Sequence, residues 1–112
     1  AIAPGIRTSA EALSTAAERL PRIDLKVPRS PVGTDTVACM QSGVLFGAAD
    51  GINGMVERIA AVTGASTKVV LTGGLAGVVR PLLRQVDEER PMLVLEGALR
   101  IYLNVEGMKV GA

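Results

Sequence analysis

The chain has 112 residues, 48% of them apolar, with 12 Lys and Arg against 11 Asp and Glu, one Cys and no His. That length bounds it to one domain, and its scattered, balanced charge argues against a nucleic-acid interface. A single cysteine, Cys39, with no His excludes a disulfide framework, a Cys/His zinc site and a His-based triad within this chain.

Mean hydropathy is +0.37, yet Phe46 and Tyr102 are the only aromatic residues. Bulky core fillers are few, so apolar surface is in excess and a partner is expected. No apolar run approaches the roughly 18 residues of a spanning helix, and no charged n-region precedes an apolar h-region. The expectation is a cytoplasmic protein that does not span a membrane. Ala1-Ile2-Ala3 runs into Pro4-Gly5 like a strand end entering a turn, which suggests a fragment beginning in mid-fold.

In chain order, TSAEALSTAAERL places Ala12, Leu13, Ala16, Ala17 and Leu20 at helical spacing. It predicts a helix capped by Thr8 or Ser9, with Glu11 at capping-box distance from Thr8, ending before Pro21. Ile23, Leu25 and Val27 alternate with Asp24 and Lys26 and predict a short edge strand, confined by Pro28 and Pro31. From Val37 to Val62, apolar residues recur every three or four positions through Met40, Val44, Ala48, Ile52, Met55 and Ile59. This predicts one long helix from about Asp35 to about Val62, capped by Thr34, with Asp35 favourable to its dipole and Gly64 as its stop.

That helix carries Gly43, Gly47, Gly51 and Gly54, each about 1 kcal/mol worse than Ala in a helix interior. Close packing on a sheet or second helix explains them; a kink near Asp50-Gly51 is the alternative. Lys68 to Leu71 predicts a buried parallel strand, Thr72-Gly73-Gly74 a turn, and LAGVVRPLLRQV a helix broken at Pro81. Asp87 to Arg90 reads as a solvated loop, Leu95 to Asn104 as a closing helix, and Met108 to Ala112 as a disordered tail. Strands alternating with helices make the fold class α/β.

Several residue groups permit chemistry. Gly73-Gly74 between strand and helix lets backbone N–H groups approach an anion or base, but a tight structural turn has the same residues. Gly33-Thr34-Asp35-Thr36 opens the long helix, where free N–H groups and hydroxyls suit either a polar ligand or simple capping. Asp50 and Glu96 are the carboxylates placed for acid/base work, with solvation as the bland reading. Arg7 suits an anion or a surface ion pair.

The order of the motifs is more specific. IAPG at 2–5, SAEAL, the Leu20-Pro21 pair, VGTDTVACMQSGVLFG at 32–47, LTGGLA at 71–76 and LVLEGALRIYLN at 93–104 together resemble the C-terminal half of type III pantothenate kinases. The resemblance implies a ribonuclease H-like half of the fold shared by acetate and sugar kinases, heat-shock chaperones and actin. It implies a mixed sheet with packed helices, a domain over 1–106 and a flexible tail over 107–112. The implied reaction transfers the ATP γ-phosphoryl group to the terminal hydroxyl of pantothenate, opening coenzyme A synthesis.

The same resemblance implies roles and partners. Thr36 would contact pantothenate across a homodimer interface formed by the long helix, and Gly73 and Gly74 would form the nucleotide-side turn. Mg2+ and a monovalent cation, K+ or NH4+, would serve the reaction. The general-base and cation-binding aspartates of the family lie in the N-terminal half and have no counterpart here, so this chain alone is expected to be inactive. Phe46-Gly47-Ala48-Ala49 departs from a stretch that is often aromatic in the family. A non-catalytic dimerising or ligand-binding relative, like the accessory transcription-factor branch, is the alternative.

Overall fold

Helix formation begins as soon as the chain leaves the Pro4-Gly5 turn. In the computed structural model, which describes residues 1–107, α1 spans Ile6–Ala16 with Gly5 as its N-cap, and Ser9 N–H donates to the Gly5 carbonyl at 2.9 Å. The cap expected at Thr8 or Ser9 is therefore displaced to Gly5. Ile6 packs on the core formed by Ala49, Val79 and Leu83, and burying that side chain draws its turn into the helix. The expected flexible tail lies outside the described residues from Met108 onward.

Ile23, Leu25 and Val27 form no strand. Lys26 N–H closes a local bond to the Asp24 carbonyl at 2.9 Å, and Gln41 Nε2 donates to the same carbonyl at 3.0 Å. A strand requires a neighbouring ladder, and none lies beside this stretch among the described residues.

The long helix is present as three continuous pieces: α2 (Thr36–Gln41), a π-helical turn (Ser42–Phe46) and α3 (Gly47–Thr63). Asp35, not Thr34, caps it, its carboxylate accepting from Ala38 N–H at 2.8 Å. Gly64, at φ 106°, stops it. The departure from α geometry falls at Ser42–Phe46 rather than near Asp50-Gly51. A π turn adds a residue to the repeat and rotates the helix beyond it.

That rotation divides the apolar stripe. Met40 and Val44 are buried, whereas Val37, Ile52, Met55, Ile59 and Val62 are exposed; beyond the π turn the inward positions pass to Ala49 and Asn53. The helical glycines are not explained by packing inside this chain, because a Cβ at Gly43, Gly47, Gly51 or Gly54 would meet nothing within 4 Å.

Strand β1 (Val70–Leu71) pairs in parallel with β2 (Glu88–Glu89), Val70 opposite Glu88 and Leu71 opposite Glu89. The solvated loop expected at Asp87 to Arg90 is thus part of the sheet, and β1 is shorter and less buried than expected, with Val70 44% exposed. The crossover consists of α4 (Ala76–Val79) and a 3₁₀ turn (Arg80–Leu82). The change of helix type at Pro81 matches the expected break, since proline lacks the donor that an α-helix needs there. The last helix, α5, spans Leu93–Val105, and none of its residues is buried. The architecture is helices with a small two-stranded parallel sheet, consistent with α/β.

Candidate functional site

The GTDT loop is held by the helix that it opens. A Cβ on Gly33 would lie 2.5 Å from the Cys39 backbone nitrogen and 2.7 Å from its Sγ, so only glycine lets the loop approach the first turn this closely. Cys39 N–H bonds to the Asp35 carbonyl at 3.0 Å, and Ser42 Oγ donates to the Pro31 carbonyl at 2.6 Å. With Asp35 occupied as the cap, Thr36 is the first helical residue and is exposed. Its hydroxyl has no hydrogen-bond partner among the described residues, and it stands where the N-terminal N–H groups favour a polar or anionic ligand.

The second glycine site is the turn between β1 and α4. Gly73 has φ 113°, in the left-handed region, and a Cβ on Gly73 or Gly74 would meet nothing within 4 Å. The Gly73 carbonyl accepts from Ala76 N–H at 3.2 Å, which leads the chain into α4. The result is an exposed, open turn whose backbone a flat or anionic group can approach.

Ala49 of α3 packs with Val79 and Leu83 in the crossover that follows the glycine turn, while Thr36 stands about 20 Å from Ala49 along the helix, at 1.5 Å per residue. Neither Thr36 nor the glycine turn lines the cavity of about 120 Å³ between α1 and the 22–25 segment, whose walls include Arg7, Arg22 and Glu11. Arg7 makes no ion pair among the described residues.

Other polar groups fasten the scaffold. Asn53, buried in α3, was not singled out by its sequence context; a polar residue four positions after Ala49 on an inward face is the signal that would have marked it. Its Nδ2 donates to the Leu82 carbonyl at 3.1 Å and its Oδ1 accepts from Arg84 N–H at 2.9 Å. Glu96, one of the two candidate carboxylates, pairs with Arg90, which also reaches Glu88 at 3.3 Å. Asp87 accepts from Val69 N–H at 2.7 Å and from Gln85 Nε2 at 3.1 Å. The Val69 bond, then Gln85, holds its carboxyl below the ordinary aspartate range. Asp50 is exposed and has no ion-pair partner among the described residues.

The family model for type III pantothenate kinase matches residues 1–58, which include the turn before α1 and the whole GTDT loop. The chain belongs to the type III pantothenate kinase family. It is 43% identical over 102 residues to a type III pantothenate kinase of Moorella thermoacetica, covering 91% of this chain and 40% of that protein. Type III pantothenate kinases of Syntrophus aciditrophicus and Rhodococcus opacus are 44% and 42% identical, over 90% and 91% of this chain and 40% and 39% of their own lengths. The chain therefore spans about two fifths of the length of the curated type III pantothenate kinases that it matches.

For the cations that type III pantothenate kinase membership implies, the donor set is wanting here. Among the described residues no group of three or more Asp, Glu, Cys or His could hold a metal ion. The open Gly73-Gly74 turn, by contrast, fits the approach of a nucleotide. No helix among the described residues is long and apolar enough to cross a membrane.

Proposed function

We propose that this chain is the C-terminal part of a cytoplasmic, ATP-dependent kinase that phosphorylates pantothenate, opening coenzyme A synthesis. Family membership supplies the reaction class, and the exposed Thr36 hydroxyl at the mouth of a capped helix carries the substrate assignment. Phosphoryl transfer depends on positioning and charge neutralisation more than on covalent chemistry by the protein. Thr36 would hydrogen-bond pantothenate, and the turn at Gly73 and Gly74 would lie against ATP, within a ribonuclease H-like half whose sheet is larger in the whole protein.

Thr36 would serve the pantothenate site of a second copy, reached through a homodimer that joins the exposed faces of α3. The separation along the helix between Thr36 and the Ala49 contact supports this reading, because the two glycine-bearing sites then need not meet within one chain. Mg2+ would neutralise phosphate charge and K+ or NH4+ would assist nucleotide binding, with their ligands outside this chain. The 112 residues alone are accordingly inactive.

The test is a coupled assay of the full-length protein with ATP and pantothenate. Turnover is expected, with Thr36→Val raising KM for pantothenate about tenfold, the effect of one lost hydrogen bond to a polar substrate, and leaving KM for ATP unchanged. Absence of turnover, or an equal rise in both KM values, would reject the assignment of Thr36.

A further inference from the structure

The surface of this chain is far larger than its mass warrants. It exposes 8371 Å², whereas a folded monomer of 11.6 kDa exposes about 5,800 Å². Its radius of gyration is 17.8 Å, with extents of 57 × 32 × 22 Å, against about 13 Å for a compact domain of this length. The excess area is about three times the ~800 Å² that each partner contributes to a standard interface.

Two helices carry much of the exposed apolar surface, in different patterns. On α3, Ile52, Met55, Ile59 and Val62 are exposed and fall within an arc of roughly 80° at 100° per residue, a stripe that one flat partner can cover. On α5, Val94, Leu95, Leu99, Ile101, Tyr102 and Val105 are between 57% and 78% exposed and spread over roughly 160°. So wide an arc belongs to a helix sunk in a core, not to one lying on a surface.

We propose that the apolar arc of α5 is buried in the core of the same polypeptide, against the portion that the relatives carry beyond the matched region. The relatives are some two and a half times as long as the match, since it covers 40% of them, so there is chain enough to surround a helix. A flat face of a second copy covers a stripe of about 100°, narrower than the α5 arc. The fastening at the start of α5, where Arg90 pairs with Glu96 and its N–H donates to the Leu71 carbonyl at 2.8 Å, leaves the remaining turns free to enter such a core. This inference rests on family membership and not on the kinase chemistry.

The experiment uses the full-length protein with its native cysteines replaced and a thiol introduced by Ile101→Cys or, separately, by Met55→Cys on α3. Labelling at position 101 is expected to be at least ~100-fold slower than in the urea-unfolded protein, as for a cooperatively protected core site, and unchanged when the protein is diluted. Labelling at position 101 as fast as in the unfolded chain would overturn the proposal. So would protection that disappears on dilution together with the dimer, which would give α5 to a second copy. Should Ile101→Cys fail to fold, amide exchange of residues 93–105 in the unmodified full-length protein gives the same reading: slow exchange at all concentrations supports it, and fast or dilution-sensitive exchange rejects it. The thiol at position 55 reports the dimer separately, so failure of that reading leaves this one standing.

Discussion

The amide of Asn53 spans the backbone on either side of Leu83, donating to the Leu82 carbonyl at 3.1 Å and accepting from the Arg84 N–H at 2.9 Å. One side chain thereby imitates a rung of parallel sheet and ties the long helix to the crossover leaving the glycine turn. Glu57, one turn further along α3, pairs with the Arg84 guanidinium on the surface above.

Removing that amide leaves two backbone groups without partners in a shielded place. Asn53→Ala is expected to destabilise the full-length protein by about 2 kcal/mol, within the range for unsatisfied buried groups. Asn53→Asp, which keeps the acceptor for Arg84 N–H but buries a carboxylate against the Leu82 carbonyl, should cost at least as much. Gln41→Ala, which removes an exposed bond, should cost under about 1 kcal/mol. Urea unfolding of the three variants checks the order.

Gly33→Ala forces a methyl group into backbone, since its Cβ would stand 2.5 Å from the Cys39 nitrogen. The loop must move, and a loss of about 1 to 3 kcal/mol is expected from overpacking. Thr36 moves with the loop, so KM for pantothenate should rise while KM for ATP holds. Thermal unfolding and steady-state kinetics of the full-length variant read the two effects.

Gly51→Leu has the opposite character. Nothing lies within 4 Å of its Cβ position, and leucine is the better helix former by nearly 1 kcal/mol. The monomer should tolerate or gain from the change, while a dimer closed through this face should weaken. Light scattering on a sizing column checks this: a shift toward monomer at unchanged helicity supports the α3 interface, and an unaltered dimer assigns the interface elsewhere.

Asp87 gives a pH dependence of known sign. Its carboxyl is held below the ordinary value of 3.8, chiefly by the Val69 N–H and then by Gln85. A depressed folded pKa contributes stability that is fully present above the unfolded value and is lost as pH falls through the folded one. Stability should therefore decline below about pH 4, and Asp87→Asn, which lacks the charge that these bonds favour, should lose that contribution at pH 7 and flatten the acid part of the curve. Urea midpoints measured from pH 7 to pH 3 on both proteins check this.

The helices were legible because apolar residues recur at their period, and the glycine turn because a β-branched run stops there. Periodicity does not announce an added residue in the repeat, so the stripe from Val37 to Val62 read as a single face although the chain buries only its first part. Ile23 to Val27 alternates like a strand yet lacks a ladder, and Glu88-Glu89 looks like solvent-facing charge yet pairs with Val70-Leu71; partners in space decide both. Thr36 and the glycine turn stand as candidates through the order of motifs, since a capping segment and a tight turn carry the same residues. Asn53 is not legible in the sequence because a polar residue in a helix ordinarily faces water, and only the carbonyl of Leu82 and the N–H of Arg84 opposite make it an inward one.

The π turn at Ser42–Phe46 gives the long helix a spare residue. Deleting the exposed Gly43 would close the turn to an α repeat and leave Met40, Ala49 and Asn53 on one inward stripe, because the π turn already absorbs the extra residue. A one-codon deletion between Ala49 and Asn53 should instead turn Asn53 by about 100° and disconnect the long helix from the crossover it ties down.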